Sequence, residues 1–193
     1  MPPEVSSLTS ATHPDQALYY SNSAPALSWA GSDVTAVAGY SYMLDQTAGT
    51  VPATTIDSMW PSPTTSTSFT GLADGVWYFH LRVCNQVGIW SATTTYTIGI
   101  DTIAPVTTDN SDDLTHTSFN LVLTPKDMTS GVAGTKYRVD SGPWRSGRNV
   151  QLSGAGLRHR RAGLAAGSHT IQYYSTDKAG NIESVKSCQV ILG

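Results

Sequence analysis

The chain repeats itself. Near the end of its first half runs Ala73-Asp74-Gly75-Val76-Trp77-Tyr78-Phe79-His80-Leu81-Arg82-Val83, then Asn85-Gln86-Val87-Gly88-Ile89. Near the end of its second half runs Ala166-Gly167-Ser168-His169-Thr170-Ile171-Gln172-Tyr173-Tyr174-Ser175, then Asp177-Lys178-Ala179-Gly180-Asn181-Ile182-Glu183, an offset of 92 residues. An earlier block, Val37-Ala38-Gly39-Tyr40-Ser41-Tyr42, matches Val132-Ala133-Gly134-Thr135-Lys136-Tyr137 at an offset of 95. Two blocks in the same order at nearly the same spacing mean that one supersecondary unit is used twice. For 193 residues this gives two domains, 1–100 and 101–193, each large enough to bury a core of its own. The boundary falls at Ile100-Asp101-Thr102-Ile103-Ala104-Pro105, where a strand-like run meets a proline. So short a linker is expected to hold the modules end to end with limited bending.

Within each copy the apolar residues alternate. Phe79, Leu81 and Val83 oppose Tyr78, His80 and Arg82; Tyr96, Ile98 and Ile100 oppose Thr95, Thr97 and Gly99. In the second half Phe119, Leu121 and Leu123 alternate with Asn120 and Val122, and Ile171 and Tyr173 with Thr170 and Gln172. Period-two alternation predicts strands with one greasy and one wetted face, as a two-layer antiparallel sandwich requires. Ala73-Asp74-Gly75, Ser130-Gly131 and Ala179-Gly180-Asn181 supply the turns. Composition agrees: 25 Thr and 23 Ser stand against 11 Lys plus Arg, and no long segment shows helical periodicity. The expected fold class is all-β, two tandem antiparallel β-sandwiches.

Specific residues add a family likeness. Leu72-x-x-Gly75-x-Trp77-x-Phe79-x-Leu81-x-Val83 resembles the E–F corner and strand F of fibronectin type III domains. Asp101-Thr102-x-Ala104-Pro105, Ser130-Gly131-Val132 and Gly167-Ser168-His169-Thr170-Ile171-x-Tyr173-Tyr174-Ser175-Thr176-Asp177-x-Ala179-Gly180-Asn181-x-Glu183 resemble a bacterial immunoglobulin-like repeat. The resemblance implies modules of prokaryotic secreted or cell-surface proteins, serving as spacers, adhesive repeats or accessory domains beside enzymes. The expected partners are neighbouring modules of the same parent chain, with a glycan or another surface protein as further candidates. The expected location is extracellular or at the cell surface. The first residues show no signal peptide, so any export signal would lie outside this sequence.

Several chemistries are excluded by what the sequence lacks. There is no G-x-S-x-G, H-E-x-x-H, P-loop or G-x-G-x-x-G, so no catalytic residue is assigned and no enzyme is expected. No apolar run reaches the 18 residues of a membrane span. Charge is uneven, about −5 over residues 1–100 and about +2 over residues 101–193, and neither half is basic enough for a nucleic-acid binder. No cofactor is expected beyond a candidate calcium ion. Asp101, Asp127, Asp177 and Asn181 should gather at the pole where the B–C and F–G loops meet the entering chain. The simpler alternative is that Asp and Asn serve their own turns. Arg145, Arg148, Arg158, Arg160 and Arg161 with His159 form a basic stretch, either an edge for an acidic polymer or a charged guard against sheet aggregation. Trp60 and Trp144 fall outside the inward alternation and are candidates for stacking on sugar rings. His80 and His169 are expected at the surface or an edge, Cys188 as a buried inert thiol, and no disulfide to Cys84. These features favour structural or adhesive spacer modules; accessory carbohydrate-binding modules of a secreted hydrolase are the alternative.

Overall fold

The computed structural model describes residues 1–59, 64–154 and 163–193. They divide into two compact units, Met1–Thr102 and Ile103–Gly193. Both are all-β, and both are immunoglobulin/fibronectin type III-like sandwiches.

In chain order the first unit contains β1 (Glu4–Ser10), β2 (Tyr19–Tyr20), β3 (Ala26–Ser32), β4 (Val37–Asp45), β5 (Ser58–Met59), β6 (Ser66–Ser68), β7 (Gly75–Asn85) and β8 (Thr94–Ile100). One sheet has the order β1-β3-β6 and the other β2-β8-β7-β4-β5. The second unit contains β9 (Val106–Asp109), β10 (Thr115–His116), β11 (Ser118–Lys126), β12 (Val132–Val139), β13 (Arg145–Ser146), β14 (Asn149–Ser153), β15 (Gly167–Asp177) and β16 (Lys186–Leu192). Its sheets run β14-β11-β9 and β10-β16-β15-β12-β13.

The repeat seen in the sequence is a repeat of geometry. β7 and β15 are both 11 residues long. Each begins on a glycine with positive φ, 132° at Gly75 and 131° at Gly167, a conformation that side chains with a Cβ adopt only under strain. β4 and β12 carry the same irregularity in pairing, between Val37 and Gly39 and between Val132 and Gly134.

Each unit fills its own interior with the alternating apolar set. Leu27, Trp29, Tyr40, Phe79, Leu81, Val83, Tyr96, Ile98 and Ile100 form the first core. Leu121, Leu123, Val150, Leu152, Ile171, Tyr173, Val190 and Leu192 form the second. Trp29 and Phe79 pack with centroids 5.5 Å apart. Trp77 is half-buried against the first core and ties down its corner, its indole N–H donating to the Ala73 carbonyl at 2.9 Å.

The expected antiparallel sandwiches are present, each with one short parallel pairing, since the two-residue strands β2 and β10 pair parallel with β8 and β16. Such short strands carry no readable alternation. Cys188 is half-buried rather than fully buried, and Cys84 is the buried cysteine; both are free thiols. The Cys188 thiol is still held far from reactivity, since burial and then the Asp109 carboxylate push its pKa up to about 11. Contrary to the expected surface or edge placement, His80 is fully buried and His169 nearly so.

Candidate functional site

The outer face of each five-stranded sheet is where the two copies diverge. In the first unit the connection between β4 and β5, residues 46–57, closes over it. His80 points outward from β7 yet is covered. Its Nε2 lies 3.0 Å from the Thr47 carbonyl and 3.4 Å from Asp45 Oδ1, and its Nδ1 lies 3.1 Å from Thr95 Oγ1. Arg82 is tied the same way: Nε donates to Ser91 O and Nη1 to Pro52 O, while the guanidinium sits 5.4 Å from the Trp90 ring. The loop's length was the available signal for this cover; strand alternation alone hid it.

In the second unit, positions 172 and 174 stand where His80 and Arg82 stand in the first, and they carry Gln172 and Tyr174. Here the connection from β12 to β13 is only residues 140–144, too short to fold over the sheet. Across this face Lys136 pairs with Tyr174 on one side and Ser146 on the other. Trp144 is 37% exposed. Its ring meets the Tyr174 ring edge-on at 5.0 Å, and the Arg138 guanidinium lies 4.9 Å from its centroid. Arg138 Nε donates to Gln172 Oε1 at 2.6 Å. Beside this cluster opens a groove of about 520 Å³ lined by Gly134, Lys136, Ser146, Gly147, Arg148 and Thr176. A Cβ at Gly134 would meet nothing within 4 Å.

Among the sequence candidates, Trp144 and Arg148 therefore come to this face. Arg145 is exposed on the edge strand β13, opposite Tyr137. Trp60, Arg158, His159, Arg160 and Arg161 lie outside the described residues.

The acidic candidates sit in turns. In the second unit a carboxylate oxygen of Asp127 and one of Asp177 lie within 4.8 Å of each other. Asp127 Oδ1 accepts from the Thr129 and Gly131 amides, and Asp177 Oδ1 from the Asn181 amide. Asn181 Nδ2 donates to Asp177 Oδ2 at 2.7 Å. In the first unit Asn85 occupies the place of Asp177 and does similar work uncharged, its Oδ1 accepting from the Val87 and Ile89 amides. Turn chemistry thus accounts for a side-chain oxygen at position 177 without requiring its charge. Asp101, near the end of the first unit, donates its amide to the Tyr20 carbonyl.

The sequence reading missed one buried polar network. Glu183 accepts from the Thr107 amide, the Thr107 hydroxyl and the Ser175 amide, and pairs with Lys186 at 3.1 Å. Ser175 Oγ bridges Thr107 Oγ1 and Thr135 Oγ1 at 2.7 and 2.8 Å. These groups join β9, β12 and β15. Histidine charge is set locally too: burial holds His13 below its ordinary pKa, whereas the Ala165 carbonyl and then Asp140 hold His169 above it.

No protein-family model matches the chain, and no curated protein matches it. Among solved structures, it is similar to fibronectin(III)-like modules of Clostridium thermocellum CbhA. That match has 11% identity and a TM-score of 0.42, and covers 98% of this chain and 93% of that one. It is also similar to the D00-D0 domain of intimin, at 12% identity and a TM-score of 0.41, covering 97% and 100%. A chimeric titin Z1Z2 is similar at 13% identity and a TM-score of 0.35, covering 100% and 97%.

Proposed function

We propose that the chain is a pair of non-catalytic structural modules belonging to a larger exported protein, secreted or on a cell surface, where it supplies reach and adhesion. The observation that supports this reading is the fate of the polar interior. Among the buried groups able to move protons or attack a substrate, His13, His80, Thr107, Ser175 and Glu183 are each committed to partners within the fold, His80 under the connection of residues 46–57. A reaction needs such groups convergent on a space where substrate can sit. Long strands paired non-locally suit a spacer, since their backbone groups are paired within the sheets and the topology forms slowly. Pulling the chain from its ends by force spectroscopy tests the reading. Two discrete unfolding events are expected, each lengthening the molecule by roughly 300 Å, the span of a released 90–100-residue chain. Extension without discrete events would remove the case for a mechanical spacer.

A further inference from the structure

We infer that the outer face of the second unit's five-stranded sheet binds an anionic polysaccharide, carboxylated or sulfated. This goes beyond the spacer role and stands apart from it.

Two copies of one fold diverge at this face. The equivalent face in the first unit is closed by residues 46–57, which use up His80 and Arg82. In the second unit that cover is missing, and a large aromatic and three cations stand in its place. A face that needs no covering loop, yet keeps a tryptophan 37% exposed, is arranged differently from a surface that only has to be soluble.

Among the described residues no carboxylate lies within ion-pair distance of Lys136, Arg138 or Arg148; the ion pairs of this unit are made by His116, His169 and Lys186. Arg138 is held by Gln172 and by the Trp144 ring, both neutral, so its orientation is fixed while its charge stays unneutralised. A planar guanidinium fixed by stacking suits a carboxylate or sulfate group.

The groove and the ring cluster beside it together match the chemistry of an acidic sugar. A pyranose ring offers an apolar C–H face, ring hydroxyls and, in an acidic sugar, one anionic group per residue. Trp144 and Tyr174 supply apolar ring surface, Ser146, Thr176 and Gln172 supply hydroxyl and amide partners, and Lys136, Arg138 and Arg148 supply positive charge. The groove is open to solvent rather than enclosed, so a segment of a longer polymer can enter it. Single-stranded nucleic acid would call for successive stacking rings along a basic groove, and here one aromatic pair stands beside three cations.

The test uses the whole chain. Oligogalacturonate and heparin oligosaccharides of about ten sugars separate the carboxylated from the sulfated source, with cellohexaose as the neutral sugar and a thymidine 20-mer as the nucleic acid. Binding is read by isothermal titration at 50 and 500 mM NaCl. The expected result is saturable binding of at least one acidic oligosaccharide, weakened about tenfold or more by salt. The double variant Lys136→Gln/Arg148→Gln should lose about tenfold or more, since each charge-assisted contact is worth up to that much. Trp144→Ala should lose about fivefold or more. Lys126→Gln, which removes an exposed charge from β11 in the opposite sheet, should change nothing. Melting curves confirm that the variants fold; should Trp144→Ala fail, the double variant still decides. No binding of either acid at 50 mM NaCl, equal binding of cellohexaose, tighter binding of the 20-mer, or equal loss in Lys126→Gln would each overturn the proposal. None of these outcomes touches the force-extension test of the spacer role.

Discussion

Glu183 shows how much a single buried side chain organises. Burial alone would raise its pKa, but hydrogen bonds from Thr107, then Lys186 and the Ser175 amide, hold the carboxylate below its ordinary 4.5. A carboxylate depressed in the folded state adds stability that is complete above its unfolded pKa and is lost as pH falls through the folded one. Glu183→Ala is expected to cost the second unit about 2–4 kcal/mol at pH 7, because the Thr107 and Ser175 amides lose their acceptor inside the fold. Glu183→Gln should cost less, and its urea midpoint should fall less than the wild type's between pH 5 and pH 3. Equal acid sensitivity in the two proteins would show that Glu183 is not one of the groups titrating. None of this was legible in the sequence, where position 183 is one acid after a turn. The same holds for His80: alternation put it on the wetted face correctly, but a polar loop that folds back over a sheet leaves no periodic mark. Trp144 was legible because it breaks the alternation around it, whereas its partners Arg138 and Tyr174 needed the register of three strands to be known.

Elements were far easier to read, for a physical reason. A sandwich strand must put every second side chain into the core, so β7, β8, β11 and β15 announce themselves over seven or more residues. The two-residue strands β2 and β10 have no room for a pattern, and their parallel pairing is set by where the chain happens to pass. The entry into the longest strands is controlled by backbone. At Gly167 a Cβ would meet no neighbour, so its positive φ of 131° is the sole obstacle to substitution. Gly167→Ala is therefore expected to destabilise the second unit by about 1–3 kcal/mol from strain alone. Gly75→Ala should behave alike in the first unit, where the nearest atom is the mobile end of Gln46 at 3.4 Å. Chemical denaturation of both variants checks this, and a neutral Gly167→Ala would show that the strand can begin in another conformation.

At the scale of the whole chain, the two separate interiors decide how damage spreads. Phe79 is fully buried in one core and Leu121 in the other, and among the described residues neither core includes a residue of the other unit. Removing a buried large side chain costs the transfer energy of its atoms plus the cavity left behind, about 3–5 kcal/mol for Phe→Ala and 2–5 kcal/mol for Leu→Ala. Those losses should stay where they are made. Four of the five tryptophans, Trp29, Trp60, Trp77 and Trp90, belong to the first unit's sequence and only Trp144 to the second's. Tryptophan fluorescence in urea should therefore follow mainly the first unit. Phe79→Ala is expected to move that transition to lower urea, whereas Leu121→Ala should leave most of it in place. Hydrogen exchange read peptide by peptide should show the reverse localisation for Leu121→Ala, with protection lost across β11, β15 and β16 and retained across β4, β7 and β8. If both variants instead lowered a single shared transition by the same amount, the repeat would unfold as one cooperative structure rather than as two.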